Sequence, residues 1–261
     1  MSWKFTLLLR IFGYRKKVIL NNLSNAYPHK SEKEIKKIAN DFYNYFGRLL
    51  AESLKLFSIN KDVLSKRVSF KNDDLIRKYL NKNRDVIVVM GHYGNWEWGL
   101  LATSIHFNNR MVAIYKELSS GFWNNKMKDI RGKFSARMVS MKKSVRYLLK
   151  KENKARLIGI VSDQTPSPEE INYCISFLNQ KTPVFLGTEK LAKKLNSPVI
   201  FATVSAKSHG YYKIEFELIT ENPKETKEGE ITNLHSKKLE EDINKNPAFW
   251  LWSHRRWKHR K

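Results

Sequence analysis

The chain has 261 residues, 41% hydrophobic and 12% aromatic, enough to bury one large core with appendages. Its 49 lysines and arginines outnumber 25 aspartates and glutamates, a formal charge of +24. Such a balance points to an anionic partner: nucleic acid, the phosphate face of a membrane, or an acidic protein or substrate. The single cysteine, Cys174, excludes an internal disulfide framework and a cysteine-rich zinc site, and reads as a small buried strand residue.

Residues 3–12 are apolar but include Lys4 and Arg10, and the run is too short for a bilayer core of about 30 Å. It also lacks a small-residue cleavage site, so it reads as an interfacial anchor or the remnant of a longer hydrophobic segment. From residue 14 to about 59, apolar positions such as Ile35, Ile38, Phe42, Tyr45, Phe46 and Leu49 recur at helical spacing. Ser31-Glu32-Lys33-Glu34 supplies an N-cap with an acid at N3. Residues 1–60 are therefore expected to be a helical region. Val86–Met90 is short, β-branched and continuous, as in a strand buried on both faces, and similar runs follow at Met111–Tyr115, Leu157–Val161 and 198–204. Helical patterns lie between them at Trp96–His106, 122–131, 142–151 and 188–195. This alternation predicts an α/β fold over 68–261, a mixed but mainly parallel sheet flanked by helices, within one domain spanning 1–261. Residues 211–218 alternate and read as an edge strand, and 220–229 as an exposed charged loop.

Ligands in open α/β sheets sit beyond the carboxyl ends of strands, and His92 falls at the exit of Val86–Met90. Gly91 and Gly94 flank it, and Asn95 is placed to cap the helix that starts near Trp96, with Glu97 in its first turn. A carboxylate beside the imidazole would accept the Nδ1 proton and leave Nε2 to deprotonate a hydroxyl. The plain alternative is a histidine that satisfies a loop and a glutamate that favours a helix N-terminus. No third ligand stands at a usual metal spacing. Ser162-Asp163-Gln164-Thr165-Pro166 follows Leu157–Val161, so Asp163 should share the rim with His92 and pair with a phosphate-binding arginine, Arg131. The alternative is a simple turn before Pro166 and Pro168. The terminus Phe249-Trp250-Leu251-Trp252-Ser253-His254-Arg255-Arg256-Trp257-Lys258-His259-Arg260-Lys261 mixes rings with bases. That text suits headgroups and phosphates, a nucleic-acid tail with stacking rings, or a merely solvated end.

Taken in order, these segments resemble the late acyltransferases of lipid A biosynthesis, within the lysophospholipid acyltransferase superfamily, over nearly the whole chain. The likeness runs from Tyr14-Arg15-Lys16-Lys17-Val18 and Asn21-Asn22-Leu23 through Ala26-Tyr27-Pro28 to Gly91-His92-Tyr93-Gly94-Asn95-Trp96-Glu97. It continues through Tyr115-Lys116, Ile130-Arg131, Asp163-Gln164, Val184-Phe185-Leu186-Gly187 and Leu191-Ala192 to Trp252-Ser253-His254-Arg255-Arg256-Trp257-Lys258.

The resemblance implies a glycerol-phosphate-acyltransferase-like fold. It also implies transfer of a fatty acyl chain from acyl carrier protein to a hydroxyl of a lipid A precursor, at the cytoplasmic face of the bacterial inner membrane. His92 is then the general base and Glu97 its orienting acid. Asn95, Arg131, Asp163, Gln164, His254, Arg255, Arg256 and Lys258 bind substrate, and an oxyanion is stabilised by Asn95, amides near Gly94 or Arg131. No metal or cofactor is expected beyond acyl carrier protein or coenzyme A thioester as co-substrate. The expected partners are an anionic membrane surface, acyl carrier protein and a phosphorylated glycolipid, with no nucleic acid. The chain departs from the family in its reduced N-terminal hydrophobic segment and in Lys116, which stands where arginine is usual and lacks its bidentate fork. Two rivals remain: the same chemistry on another lipid such as a phosphoinositide mannoside or an aminolipid, and a basic nucleic-acid-binding protein. The second explains neither the strand-end His92 and Glu97 nor Asp163-Gln164.

Overall fold

A computed structural model describes residues 2–117, 120–150 and 152–259. Lys151, the expected end of the helix over 142–151, and Arg260 and Lys261 of the basic terminus lie outside the described residues. The helices are α1 (Ser2–Ile11), α2 (Lys16–Ala26), α3 (Glu32–Lys55), α4 (Lys61–Arg67), α5 (Asp74–Asn81), α6 (Trp96–His106), α7 (Gly121–Gly132), α8 (Met141–Leu148), α9 (Gly187–Leu195) and α10 (Glu230–Lys245). The strands are β1 (Val68–Lys71), β2 (Val86–Met90), β3 (Met111–Tyr115), β4 (Arg137–Ser140), β5 (Leu157–Val161), β6 (Tyr173–Phe177), β7 (Gln180–Val184), β8 (Val199–Ser208) and β9 (Tyr211–Thr220). Among the described residues, seven strands form one sheet in the order β1-β9-β8-β2-β5-β3-β4, and β6 and β7 form a separate hairpin. Every pairing from β8 to β4 is parallel, whereas β8 and β9 run antiparallel. The mixed, mainly parallel sheet with a helical N-terminal region matches the expectation.

The centre of the sheet is β2, whose five residues are all buried. Its alternating side chains feed two cores: Ile87 and Val89 pack with residues of α2, α3 and α10, and Val86, Val88 and Met90 with residues of α4, α5 and α6. A continuous apolar run is needed because both faces are covered by helices. The register of β2 with β5, Met90 opposite Val161, sends Gly91-His92 and Ser162-Asp163 off the sheet side by side. The Ser162 amide donates to the Met90 carbonyl at 3.0 Å, which carries that pairing one residue past the strand.

At the start of α3, Ser31 and Glu34 form the expected reciprocal cap. α1 lies against α3 where Gly47 leaves room for Thr6, and a Cβ at residue 47 would collide with it. The opposite side of α1 leaves Trp3, Leu7, Leu8, Ile11 and Phe12 exposed. No helix among the described residues is long and apolar enough to cross a membrane.

Some expectations are corrected. β9 is not an edge strand, because β1 pairs parallel beside it through Val68–Lys71. Cys174 is on a strand but exposed, since β6 alternates and buries Ile175 and Phe177 instead. α10 is not legible in the sequence because four of its seven buried residues, Thr232, His235, Ser236 and Asp242, are polar, which hides the apolar period.

The two glycines around His92 have different reasons. Gly91 is small because Leu239 of α10 packs where a Cβ would stand. Gly94 makes the turn, with φ of 63°, its amide donating to the Phe249 carbonyl at 3.1 Å, while a Cβ there would run into the Val204 carbonyl. Gly94→Ala should therefore destabilise the protein by more than the roughly 1–2 kcal/mol that a left-handed backbone alone costs an L-residue. Urea unfolding at constant m-value checks this, and an unchanged midpoint would contradict it.

Candidate active site

The strand-end geometry brings His92 to Asp163. The His92 Nδ1 proton is donated to Asp163 Oδ1 at 2.6 Å, and the His92 amide donates to Oδ2 at 2.9 Å. A third donor comes from the far end of the chain: the Trp250 indole reaches the same Oδ2 at 2.8 Å. Burial opposes the charge on Asp163, but the His92 cation and the hydrogen bonds from His92 and Trp250 outweigh it and hold the carboxyl at about 2. A carboxylate on Nδ1 fixes the tautomer, so Nε2 is the unprotonated, basic edge. The Gln164 side-chain amide stands 3.3 Å from it, and the Trp96 ring meets the imidazole edge-on at 5.0 Å between centroids.

Glu97 has a different partner. Its carboxylate accepts from Arg131 Nε at 2.9 Å and from Arg131 Nη2 at 2.5 Å, a bidentate pair that ties α6 to α7. The expected assignments, Glu97 to His92 and Asp163 to Arg131, are thus exchanged. The reason is topological: β5 is the neighbour of β2, so the residues leaving β5 lie against His92, whereas Glu97 sits in the first turn of α6 and faces α7.

His92, Trp96, Glu97, Arg131 and Gln164 share the wall of a cavity of about 360 Å³. Its interior is apolar, with Leu100, Met111, Met138, Ile160 and Leu191, and Lys116 is among its polar lining. Among the described residues, no group of three or more His, Cys, Asp or Glu side chains could hold a metal ion.

Several other expected site residues have structural positions. Asn95 is buried, its Oδ1 capping α6 through the Trp98 amide at 3.0 Å and its Nδ2 donating to Glu52 at 2.7 Å. The Asn95 side chain is turned into the core and the Gly94 amide is bonded to Phe249, while Arg131, also expected as an oxyanion donor, lines the cavity. Arg256 is 2% exposed and donates to the Pro183 carbonyl at 2.8 Å, so it does not meet phosphate at the surface. Burial pushes its guanidinium down to about 10, against the pull of Asp163. His254 accepts from the Thr165 amide through Nε2 at 3.2 Å. Burial and the nearby positive charges of His92, Arg256 and Lys258 push it down to about 4 despite Asp163, so it is a neutral acceptor rather than an anion-binding cation. Arg255 and Lys258 stay exposed.

The terminal aromatic segment is a plug and not a tail. Trp250 and Trp252 are buried and cannot stack on bases or headgroups. Asn22 of α2 donates to the Trp252 and His254 carbonyls, both at 2.9 Å, and Trp257 donates to Thr182 Oγ1 at 2.8 Å. The roles of Trp250 as a donor to Asp163 and of Glu52 as the acceptor for Asn95 are not legible in the sequence. Alternation of rings and bases reads the same for a surface and for a plug, and Glu52 is one acid in a long helix.

The chain matches the family model of the bacterial lipid A biosynthesis acyltransferases over residues 4–259. No curated protein matches it. The chain belongs to that family and is an acyltransferase of lipid A biosynthesis.

The buried histidines around this site set a pH dependence. His235, pushed by burial to about 4 against Glu189 and Asp163, and His254, also at about 4, stay neutral in the fold while their unfolded forms take up protons near 6.5. The unfolded chain then binds more protons between those values, so stability falls as pH drops from about 6.5 to about 4. The Asp163 contribution has the same sign but is lost only nearer pH 2. His235→Gln should flatten the fall of Tm over the upper window, and an unchanged slope would contradict the assignment.

Proposed function

We propose that this family member moves an acyl chain from an acyl carrier protein thioester to a hydroxyl of a phosphorylated lipid A precursor, at the cytoplasmic face of the inner membrane. The observation that carries the reading is an imidazole with Nδ1 held by a buried carboxylate and Nε2 open to an apolar cavity. His92 Nε2 takes the proton of the acceptor hydroxyl as its oxygen attacks the thioester carbonyl. The tetrahedral intermediate collapses with loss of the thiolate, which takes the proton back from His92, so an ester and a free thiol are formed and no net charge or electron is exchanged. Asp163 keeps the imidazole in one tautomer and stabilises the transient cation. The Glu97–Arg131 pair shapes the cavity wall. Arg131 and the Gln164 amide supply donors near the carbonyl oxygen as charge develops.

The donor's acyl chain occupies the apolar cavity beside His92. Exposed Arg255 and Lys258, and Lys116 on the cavity lining, complement an acidic carrier protein and lipid phosphates, with coenzyme A thioester as a substitute donor. No cofactor enters the steps. The exposed apolar side of α1 suits peripheral contact with the bilayer.

His92→Ala should lower acyl transfer by about 10²–10⁴-fold in a protein that stays folded. Mass spectrometry of the glycolipid product, which gains one acyl chain only with active enzyme, checks it. Near-normal transfer by the folded variant would refute the mechanism. Asp163→Asn should cost about as much: the two N–H donors at the Oδ2 position hold the amide oxygen, so the new NH2 faces Nδ1 and favours the wrong tautomer.

A further inference from the structure

A second apolar depression of about 440 Å³ lies on the other side of Trp96 from the catalytic cavity. It runs between α3 and α7, floored by Phe46, Leu50 and Ile130 and rimmed by Leu54, Phe57 and Met127. Trp96 and Glu97 line both spaces, so the two apolar volumes meet at the wall beside His92. Leu54 and Phe57 are about half exposed and join the other apolar lining residues in one contiguous patch. Tyr14 stacks on Phe46 in this groove, and Phe12, two residues earlier, is 79% exposed at the end of the apolar side of α1. The groove is therefore continuous with the surface that faces lipid in the proposed function. Arg15 also lines it, anchored through Nη1 to the Ser253 carbonyl at 2.9 Å, and Lys16 and Lys17 follow it, exposed.

We infer that this groove holds an acyl chain of the phosphorylated glycolipid acceptor, with Arg15, Lys16 and Lys17 meeting its phosphate. The inference rests on the proposed function, in which an acyl thioester and a hydroxyl of a lipid acceptor must meet at one histidine. The cavity beside His92 runs inward to the sheet at Gly159 and Met111 and suits a chain delivered from a carrier. The α3–α7 groove is more open and adjoins the apolar side of α1, so a bilayer-resident lipid reaches it without its chain crossing water. An apolar trough with Arg15 in its lining and exposed Lys16 and Lys17 next along the chain complements a phosphorylated lipid on both counts.

Two measurements test the assignment. Ser53→Trp places a large ring in the groove from the surface of α3, and it should raise the apparent KM for glycolipid at least tenfold while moving that for the acyl thioester less than twofold. Equal effects on both substrates, or none, would overturn the groove. The second readout needs no catalysis: in a Cys174→Ser background, acrylodan attached after Leu54→Cys should shift to the blue on adding the phosphorylated glycolipid in detergent micelles. The same micelles without glycolipid, and the acyl thioester, should leave it unmoved, and a response to either would overturn the assignment. If glycolipid binds the probe but no acyl transfer occurs in the unmodified protein, the proposed reaction fails while the lipid site stands.

Discussion

The buried carboxylate of Asp163 is the constraint on which the site depends. An ionised carboxylate removed from water costs several kcal/mol unless donors replace its hydration, and here three donors do so: the His92 amide, the His92 ring and the Trp250 indole. They come from the exit of β2 and from the C-terminal plug, so one side chain joins segments that lie 71 and 87 residues from it along the chain. The isolated bridge between Tyr93 and Trp250 and the bond from Gly94 to Phe249 seat the same plug against the loop that carries His92. Arg15 and Asn22 then fasten the plug to the N-terminal helices. The site is completed only when both ends of the chain are in place.

Around that carboxylate the ionic work is divided. Asp163 serves the imidazole, and Glu97 serves Arg131, leaving an imidazole that is oriented from behind with its Nε2 edge on the cavity beside Gln164. Both pairs are partly buried and hydrogen-bonded, the condition under which a charge in a wall fixes geometry. Trp96, packed edge-on to His92, separates an inward cavity from the outer groove and lines both. Of these two apolar spaces, the inner one has His92 in its wall.

Much of this was legible in the sequence, and the limits have physical causes. β2, β3 and β5 were readable to their end residues because strands covered on both faces need uninterrupted apolar runs. The turn at His92 was readable because Gly94 needs a positive φ and Asn95 caps a helix. Strand order was not readable: alternation of strands and helices shows that the sheet is parallel but not that β5 sits beside β2, and that adjacency decides whether Asp163 or Glu97 reaches His92. Burial was the other blind spot. Arg256 and His254 look like surface cations in a basic terminus, yet the rings beside them fill a core, and composition does not distinguish a plug from a tail.

The central claim, that Asp163 and not Glu97 holds the imidazole, is tested most directly by NMR of the His92 ring with labelled histidine. The account predicts a strongly downfield Nδ1 proton that disappears in Asp163→Asn and persists in Glu97→Gln. A resonance that survives Asp163→Asn and is lost in Glu97→Gln would contradict it.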